Sequence, residues 1–280
     1  MTDGCLLTAV GNSLNPMGLH PNETKGKQSM NRVPLIAGNW KMYKTVSEAV
    51  TTATQLKEAV KDISGREILI APPFVSLHPV AQAIHGSNIN LSSQDVFWED
   101  EGAFTGQISP AMLLSAGCTY TLIGHSERRQ YFGETNETVN KKTKKSIDQG
   151  LKVIICVGET LEEREAGKTF PVLEIQISEG LKGLTSGLMG RVVIAYEPVW
   201  AIGTGKTATA AQAEEVHRFI RNKLNEQYNT DVAEKTRILY GGSVKPDNID
   251  QLMAEKDIDG VLVGGASLKV DSFSRIVKFT

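Results

Sequence analysis

Short apolar runs recur along the chain from Leu35 onward, and each has the length of a β-strand. Most are followed by a stretch whose apolar residues return at helical spacing, such as Ala49, Ala53, Leu56 and Val60. Strands rich in Ile, Val and Leu that alternate with amphipathic helices indicate parallel pairing, with the helices covering the outer face. The eight predicted strands are Leu35–Asn39, Glu67–Ala71, Ile89–Ser93, Tyr120–Gly124, Lys152–Val157, Val192–Tyr196, Arg237–Tyr240 and Gly260–Val263.

Two of the predicted helices begin with a capping box, in which two side chains three positions apart each accept the other residue's free backbone N–H. Thr45 and Glu48 form the first, and Thr209 and Gln212 form the second. Eight strand–helix units in about 250 residues predict an α/β fold, a single closed (β/α)8 TIM barrel. The alternative on pattern alone is an open, doubly wound parallel sheet.

The segment before the first strand differs from the rest of the chain. Residues 1–29 contain turn formers and polar residues without sustained apolar periodicity, so they lack the buried surface that would offset the entropy of ordering. We therefore expect a disordered N-terminal extension over 1–29, and a catalytic barrel domain over 30–280.

Composition and charge exclude several classes of partner. The 280 residues are 40% hydrophobic and 22% charged, with a net charge of -2, which is typical of a soluble globular protein and gives no basic patch for nucleic acid or acidic lipid. No apolar run reaches the roughly 18 residues that cross a membrane. Cys5, Cys118 and Cys156 are odd in number and far apart, and the five histidines lack metal-ligand spacing. We expect a cytoplasmic protein with reduced thiols and no metal.

The active site of such a barrel lies at the carboxyl ends of its strands, so polar residues there are the candidates for chemistry. The first strand continues Ala37-Gly-Asn39-Trp-Lys41, and its alternation places Asn39 and Lys41 on the same face as Ala37. A lysine just past a strand is otherwise a solvated surface charge. Its shared face with Asn39 favours a role in a pocket.

The fourth and sixth strands end at ionisable residues. His125 stands at a helix start, where the positive end of the helix dipole disfavours its cation, so it is a candidate neutral hydrogen-bond donor. Glu197 shares a face with Val193 and Ala195 and should point inward, where apolar neighbours would raise its pKa, as a general base requires. The alternatives are a capping histidine and a salt-bridged carboxylate at the rim.

The later strands lead into glycine-rich loops. Gly203-Thr-Gly205-Lys206-Thr207 resembles a P-loop, but a P-loop would need glycine at Trp200. The pattern Gly203-x-Gly205-x-x-Ala208 resembles a dinucleotide-binding loop, but it lies several residues past the strand end. What remains is the segment from Pro198 to Lys206. Its apolar residues and terminal glycines are typical of a lid. Strands seven and eight end in Gly241-Gly-Ser243 and Gly264-Gly-Ala-Ser, which predict a phosphate site in backbone N–H groups.

These motifs together resemble the triosephosphate isomerase family. They are Ala-Gly-Asn39-Trp-Lys41-Met, Gly-His125-Ser-Glu127-Arg-Arg, Ala-Tyr-Glu197-Pro-Val-Trp-Ala-Ile-Gly-Thr-Gly-Lys206, Tyr-Gly-Gly-Ser243 and Val-Gly-Gly-Ala-Ser-Leu268, in order from about Arg32 to the C-terminus. The resemblance implies a glycolytic and gluconeogenic enzyme that interconverts dihydroxyacetone phosphate and D-glyceraldehyde 3-phosphate through an enediolate, without a cofactor.

The resemblance also implies a role for each matched residue. Glu197 would be the base, neutral His125 would polarise the carbonyl, Lys41 would stabilise negative charge, Asn39 would position the substrate and Glu127 would organise the charges around Lys41. Substrate and phosphate would be held by Asn39, Lys41, Gly203, Ser243, Gly264 and Gly265.

The aromatic-rich loop after the third strand resembles the family's interlocking loop. It implies a homodimer in which Thr105 reaches toward the neighbour's Asn39 and Lys41. One departure lies beside it, because Asp95 follows Gln94 where the family often has asparagine.

Two other functions fit a barrel of this kind. One is a catalytically idle barrel kept for binding, which the intact Asn39, Lys41, His125 and Glu197 argue against. The other is a Schiff-base aldolase, which needs a lysine buried on an interior strand face, whereas Lys41 lies at the rim.

Overall fold

The computed structural model describes residues 1, 32–201 and 208–280. The eight predicted strands are present, and seven have the predicted bounds. The fourth ends one residue early, because Gly124 has a φ of +75°, in the left-handed region that strands do not adopt. The strands are β1 Leu35–Asn39, β2 Glu67–Ala71, β3 Ile89–Ser93, β4 Tyr120–Ile123, β5 Lys152–Val157, β6 Val192–Tyr196, β7 Arg237–Tyr240 and β8 Gly260–Val263.

The strands form a closed parallel barrel in chain order, and β8 pairs with β1 to close it. The closing seam depends on Gly260, which pairs with Leu35 and has a φ of +147°. A Cβ at Gly260 would lie 2.0 Å from the carbonyl oxygen of Leu35, so no larger residue fits there. The closed barrel confirms the predicted fold and rules out the open doubly wound sheet.

Helices follow the strands around the outside of the barrel. Both predicted capping boxes are present, and in the second Gln212 N–H donates to Thr209 Oγ1 at 3.1 Å. The described α-helices are α1 Val46–Val60, α2 Leu77–Ala83, α3 Pro110–Ser115, α4 Ser126–Tyr131, α5 Asn136–Asp148, α6 Leu161–Glu165, α7 Thr169–Gly180, α8 Ala210–Gln227, α9 Thr230–Lys235, α10 Ile249–Ala254 and α11 Val270–Val277.

The core has two layers because each strand is buried on both faces. Alternate residues such as Ala37, Val193 and Ala195 point into the barrel, and their neighbours, such as Ile36 and Ile194, pack against the helices. This alternation is the predicted one, and it points the residues at the strand ends into the mouth of the barrel.

Contacts divide the chain into a unit over Met1–Met30 and a unit over Asn31–Thr280, and the second is the barrel. The predicted extension lies outside the described residues apart from Met1, and so does the part of the predicted lid from 202 onward. In the part of the chain that is described, no helix is long and apolar enough to span a bilayer.

Candidate active site

A cavity of about 370 Å³ opens at the carboxyl ends of the strands, where the fold places active sites. Its walls come from β1, β4, β6, β7 and β8 and the residues that follow them. The predicted residues that line it are Asn39, Lys41, His125, Glu197, Ser243, Gly264 and Gly265. Gly203 lies outside the described residues.

The turn after β1 presents Lys41 to the cavity. The side-chain oxygen Oδ1 of buried Asn39 accepts a hydrogen bond from the Lys41 backbone N–H at 2.9 Å. This contact accompanies a φ of +50° at Lys41, a left-handed conformation that is uncommon for a residue with a side chain. The Lys41 ammonium then lies 2.6 Å from a carboxylate oxygen of Glu127. Glu127 thus faces the charge that it was predicted to organise.

His125 is the N-cap of α4, and its ring is held from two sides. Nδ1 accepts a hydrogen bond from the Glu127 backbone N–H at 3.2 Å, which makes Nδ1 the unprotonated ring nitrogen. Nε2 therefore carries the proton and lies 3.0 Å from Oε1 of Glu197. Burial lowers the pKa of His125, but Glu197 and Glu127 together outweigh burial and raise it. The expected lowering of this pKa is wrong for this arrangement.

Glu197 follows β6 and is 2% exposed, as its predicted inward direction requires. Its second oxygen, Oε2, accepts a hydrogen bond from the Ser126 backbone N–H at 3.0 Å. Two glycines make room for the residue. A Cβ at Gly241 would lie 2.8 Å from Cγ of Glu197, and a Cβ at Gly158 would lie 1.7 Å from its carbonyl oxygen.

The predicted raised pKa of Glu197 is also wrong for this arrangement. Burial does raise the pKa of the carboxyl, as expected from its apolar surroundings. His125, the Ser126 N–H and Lys41 together outweigh burial, so the pKa is lowered. The carboxylate is therefore ionised and held by donors in the structure described.

The glycines after β7 and β8 differ in what surrounds them. Gly241 donates its N–H to the Tyr196 carbonyl at 2.7 Å, so this N–H is already used. Gly264 lies against the Lys41 stem, since a Cβ there would be 3.5 Å from Cε of Lys41. Nothing lies within 4 Å of a Cβ built at Gly265, which lines the cavity.

Comparisons with known proteins identify the family of this chain. The family model described as triosephosphate isomerase matches residues 34–280. The chain belongs to the triosephosphate isomerase family. It is 58% identical to the triosephosphate isomerase of Geotalea uraniireducens over 89% of this chain and 99% of the relative. It is 59% identical to that of Geobacter metallireducens, again over 89% and 99%. For Carboxydothermus hydrogenoformans the identity is 57% over 88% of this chain and 98% of the relative.

Membership of the triosephosphate isomerase family confirms the predicted family, enzyme class and triose-phosphate isomerisation. It disfavours the Schiff-base aldolase alternative.

Sequence reasoning missed three contributors to this triosephosphate isomerase site. The Ser126 N–H donates to the Glu197 carboxylate, the missing side chain of Gly158 leaves room for the Glu197 backbone, and Gln94 donates from Nε2 to the Lys41 carbonyl at 2.8 Å. Gly158 and Gln94 each directly follow a strand, and that position is the signal that could have identified them. Ser126 acts through its backbone, which the residue type does not reveal.

Proposed function

We propose that this cavity interconverts dihydroxyacetone phosphate and D-glyceraldehyde 3-phosphate, with Glu197 moving a proton between C1 and C2 through an enediolate. The observation that carries the proposal is the 3.0 Å contact between Glu197 Oε1 and His125 Nε2, inside a cavity that Lys41 also lines. A base, a hydrogen-bond donor and a cation thus face one space. A coupled turnover assay on the purified protein separates this enzyme from a catalytically idle barrel.

Glu197 becomes a stronger base when it leaves its resting partners. In the arrangement described, His125 and the Ser126 N–H stabilise the carboxylate and lower its pKa against the opposite effect of burial. A substrate between Glu197 and His125 takes the place of these contacts, and burial remains. The pKa then rises, and the carboxylate accepts a proton from carbon more readily.

His125 acts as a neutral donor to the substrate carbonyl. Its Nδ1 accepts the Glu127 N–H, so the proton on Nε2 is the one that faces the cavity. When Glu197 moves away, the larger of the two carboxylate contributions that raise the pKa of His125 is lost, and burial and Lys41 favour the neutral ring. Nε2–H then donates to the oxygen on which the enediolate charge develops.

Lys41 and Asn39 bind the substrate and stabilise its negative charge. The Lys41 ammonium faces the cavity, and Asn39 holds the turn that carries it. Glu127 positions the ammonium through the 2.6 Å ion pair. The substrate phosphate is held by the N–H groups of Gly203, Ser243, Gly264 and Gly265, and no atom lies within 4 Å of a Cβ built at Gly265.

The segment from Pro198 to Lys206 closes over the substrate as a lid. Its described start is the 3₁₀ turn Val199–Ala201, in which Trp200 donates from Nε1 to Glu159 Oε1 at 2.9 Å. This bond fixes one end of the lid to Glu159, two residues past the end of β5. Closure excludes water and protects the enediolate from loss of phosphate.

The enzyme acts as a homodimer through the loop that carries Thr105. Large apolar side chains near this loop are exposed, and an aromatic surface of this kind favours a protein partner. Phe104 is 42% exposed and Phe132 is 67% exposed, and the Phe132 ring lies 5.1 Å from the Arg128 guanidinium. Arg128 in turn lines a cleft with residues of the loop. A second copy of the chain would cover this surface and place its Thr105 near Asn39 and Lys41.

The expected location and domain organisation belong to the same proposal. The buried thiols of Cys118 and Cys156 are free, which suits a reducing cytoplasm, where the triose phosphates of glycolysis are handled. Residues 1–29 take no part in the reaction, and residues 30–280 are the catalytic domain.

A further inference from the structure

Four charged side chains form a closed ring beside the active site. Lys142 Nζ lies 2.6 Å from Asp95 Oδ1 and 2.7 Å from Glu134 Oε1. Arg128 completes the ring, with its Nη2 at 2.7 Å from Asp95 Oδ2 and its Nε at 3.1 Å from Glu134 Oε2. Asp95, Glu134 and Lys142 are buried. The ring has no net charge, as buried ionic groups require.

Asp95 is the member of the ring that comes from a distant part of the chain. Arg128, Glu134 and Lys142 belong to α4, α5 and the connection between them, and Glu134 alone already bridges the two cations. Asp95 follows β3, so its two ion pairs join the end of β3 to α4 and α5. Without Asp95, the ring would contain only residues that lie close together in the sequence.

A residue at each end of this connection contacts Lys41. Gln94, which is covalently linked to Asp95, donates from Nε2 to the Lys41 carbonyl at 2.8 Å. Glu127, which is covalently linked to Arg128, pairs with the Lys41 ammonium at 2.6 Å. The left-handed backbone of Lys41 persists only if its surroundings hold it. Gln94 hydrogen-bonds the main chain of Lys41, and Glu127 forms an ion pair with its ammonium.

We propose that Asp95 is a positioning residue for Lys41. Its ion pair with Arg128 fixes Gln94 relative to Glu127, and the ammonium is thereby held at a defined point in the cavity. This inference rests on the proposed function, in which Lys41 binds the substrate. Asp95 touches no substrate, so its effect reaches the reaction only through Lys41.

The test is the isosteric substitution Asp95→Asn, compared with Glu134→Gln. Both variants remove one carboxylate from the same ring and leave the same excess positive charge, but only the first breaks the connection to Gln94. We expect Asp95→Asn to lower kcat/KM about tenfold, and to weaken competitive inhibition by inorganic phosphate in parallel. Glu134→Gln should lower the Tm and leave kcat/KM within about twofold.

A double-mutant cycle with Lys41→Met shows whether the effect passes through Lys41. In the Lys41→Met background, Asp95→Asn should cause no further loss of kcat/KM. An equal loss in Asp95→Asn and Glu134→Gln, an undiminished loss in the Lys41→Met background, or an unchanged kcat/KM in Asp95→Asn would overturn the inference. The proposed role of Lys41 in substrate binding is tested separately by the single variant Lys41→Met. If Lys41 does not bind the substrate, this variant should keep its kcat/KM.

Gln94→Met gives a second route if Asp95→Asn does not fold. It removes the donor to the Lys41 carbonyl and leaves the ring and its charge intact. The inference predicts the same loss of kcat/KM and of phosphate inhibition, again absent in the Lys41→Met background. Normal kinetics in Gln94→Met would overturn it.

Discussion

Glu197 and His125 are hydrogen-bonded to each other across the mouth of the barrel, with 3.0 Å between Oε1 and Nε2. The base and the donor of the proposed reaction are therefore hydrogen-bonded to each other before substrate binds. The contact shifts the two pKa values in opposite directions, because it raises that of His125 and lowers that of Glu197. Substrate must separate the pair before either residue can act on it.

This separation predicts a difference between two pH profiles. A general base must be ionised, so activity falls as the pH drops through its pKa. The profile of kcat/KM reports the free enzyme, where the pKa of Glu197 is lowered, and that of kcat reports the complex, where burial acts without His125. The acidic limb of kcat should therefore lie at higher pH than that of kcat/KM, after correction for the substrate phosphate. Coincident limbs would mean that substrate leaves the pair intact.

The close approach of Gly241 to Glu197 predicts the effect of adding one methyl group. In Gly241→Ala the new Cβ would lie 2.8 Å from Cγ of Glu197, so the carboxylate must shift. We expect kcat to fall by about 10- to 100-fold, because a displacement of about 1 Å is costly at a reacting group. Gly190→Ala is the matched control, since nothing lies within 4 Å of a Cβ there. Equal kinetics in the two variants would show that the added methyl group does not displace the Glu197 carboxylate.

The dimer proposal predicts that Thr105, an exposed residue that does not line the cavity of its own chain, controls activity. Thr105→Arg should convert the dimer to a monomer by light scattering and lower kcat/KM by at least ~10²-fold, because Lys41 and Asn39 lose their support. Thr54→Arg, at an exposed position on α1, is the control and should change neither quantity. A fully active monomer at the assay concentration would contradict the proposal.

The lid proposal predicts a change in products. Removing Ile202 to Gly205 shortens the lid, so the enediolate is exposed to water and loses phosphate more often. Methylglyoxal should then increase relative to isomerised product, measured by separate enzymatic assays on the same reaction. An unchanged ratio with retained activity would show that the segment does not protect the intermediate.

Much of the fold was predictable because parallel barrel strands are buried on both faces and stand out as apolar runs. Alternation within β6 also placed Glu197 correctly, since side-chain direction follows from local geometry. The pKa directions were not predictable. They depend on His125 meeting Glu197 across the barrel, and residues 72 positions apart (197 minus 125) become neighbours only when the barrel closes. The hydrogen bond from Gln94 to the Lys41 carbonyl also joins residues that are distant in the sequence, so it was not predictable either.

The most direct test of the central claim is the turnover of Glu197→Gln in the coupled isomerase assay. Glutamine keeps the size of the side chain and removes the group that accepts the proton, so kcat should fall by at least ~10²-fold. Glu165→Gln, at an exposed position of α6, is the control and should keep normal turnover. Near-normal activity in Glu197→Gln would contradict the assignment of Glu197 as the catalytic base.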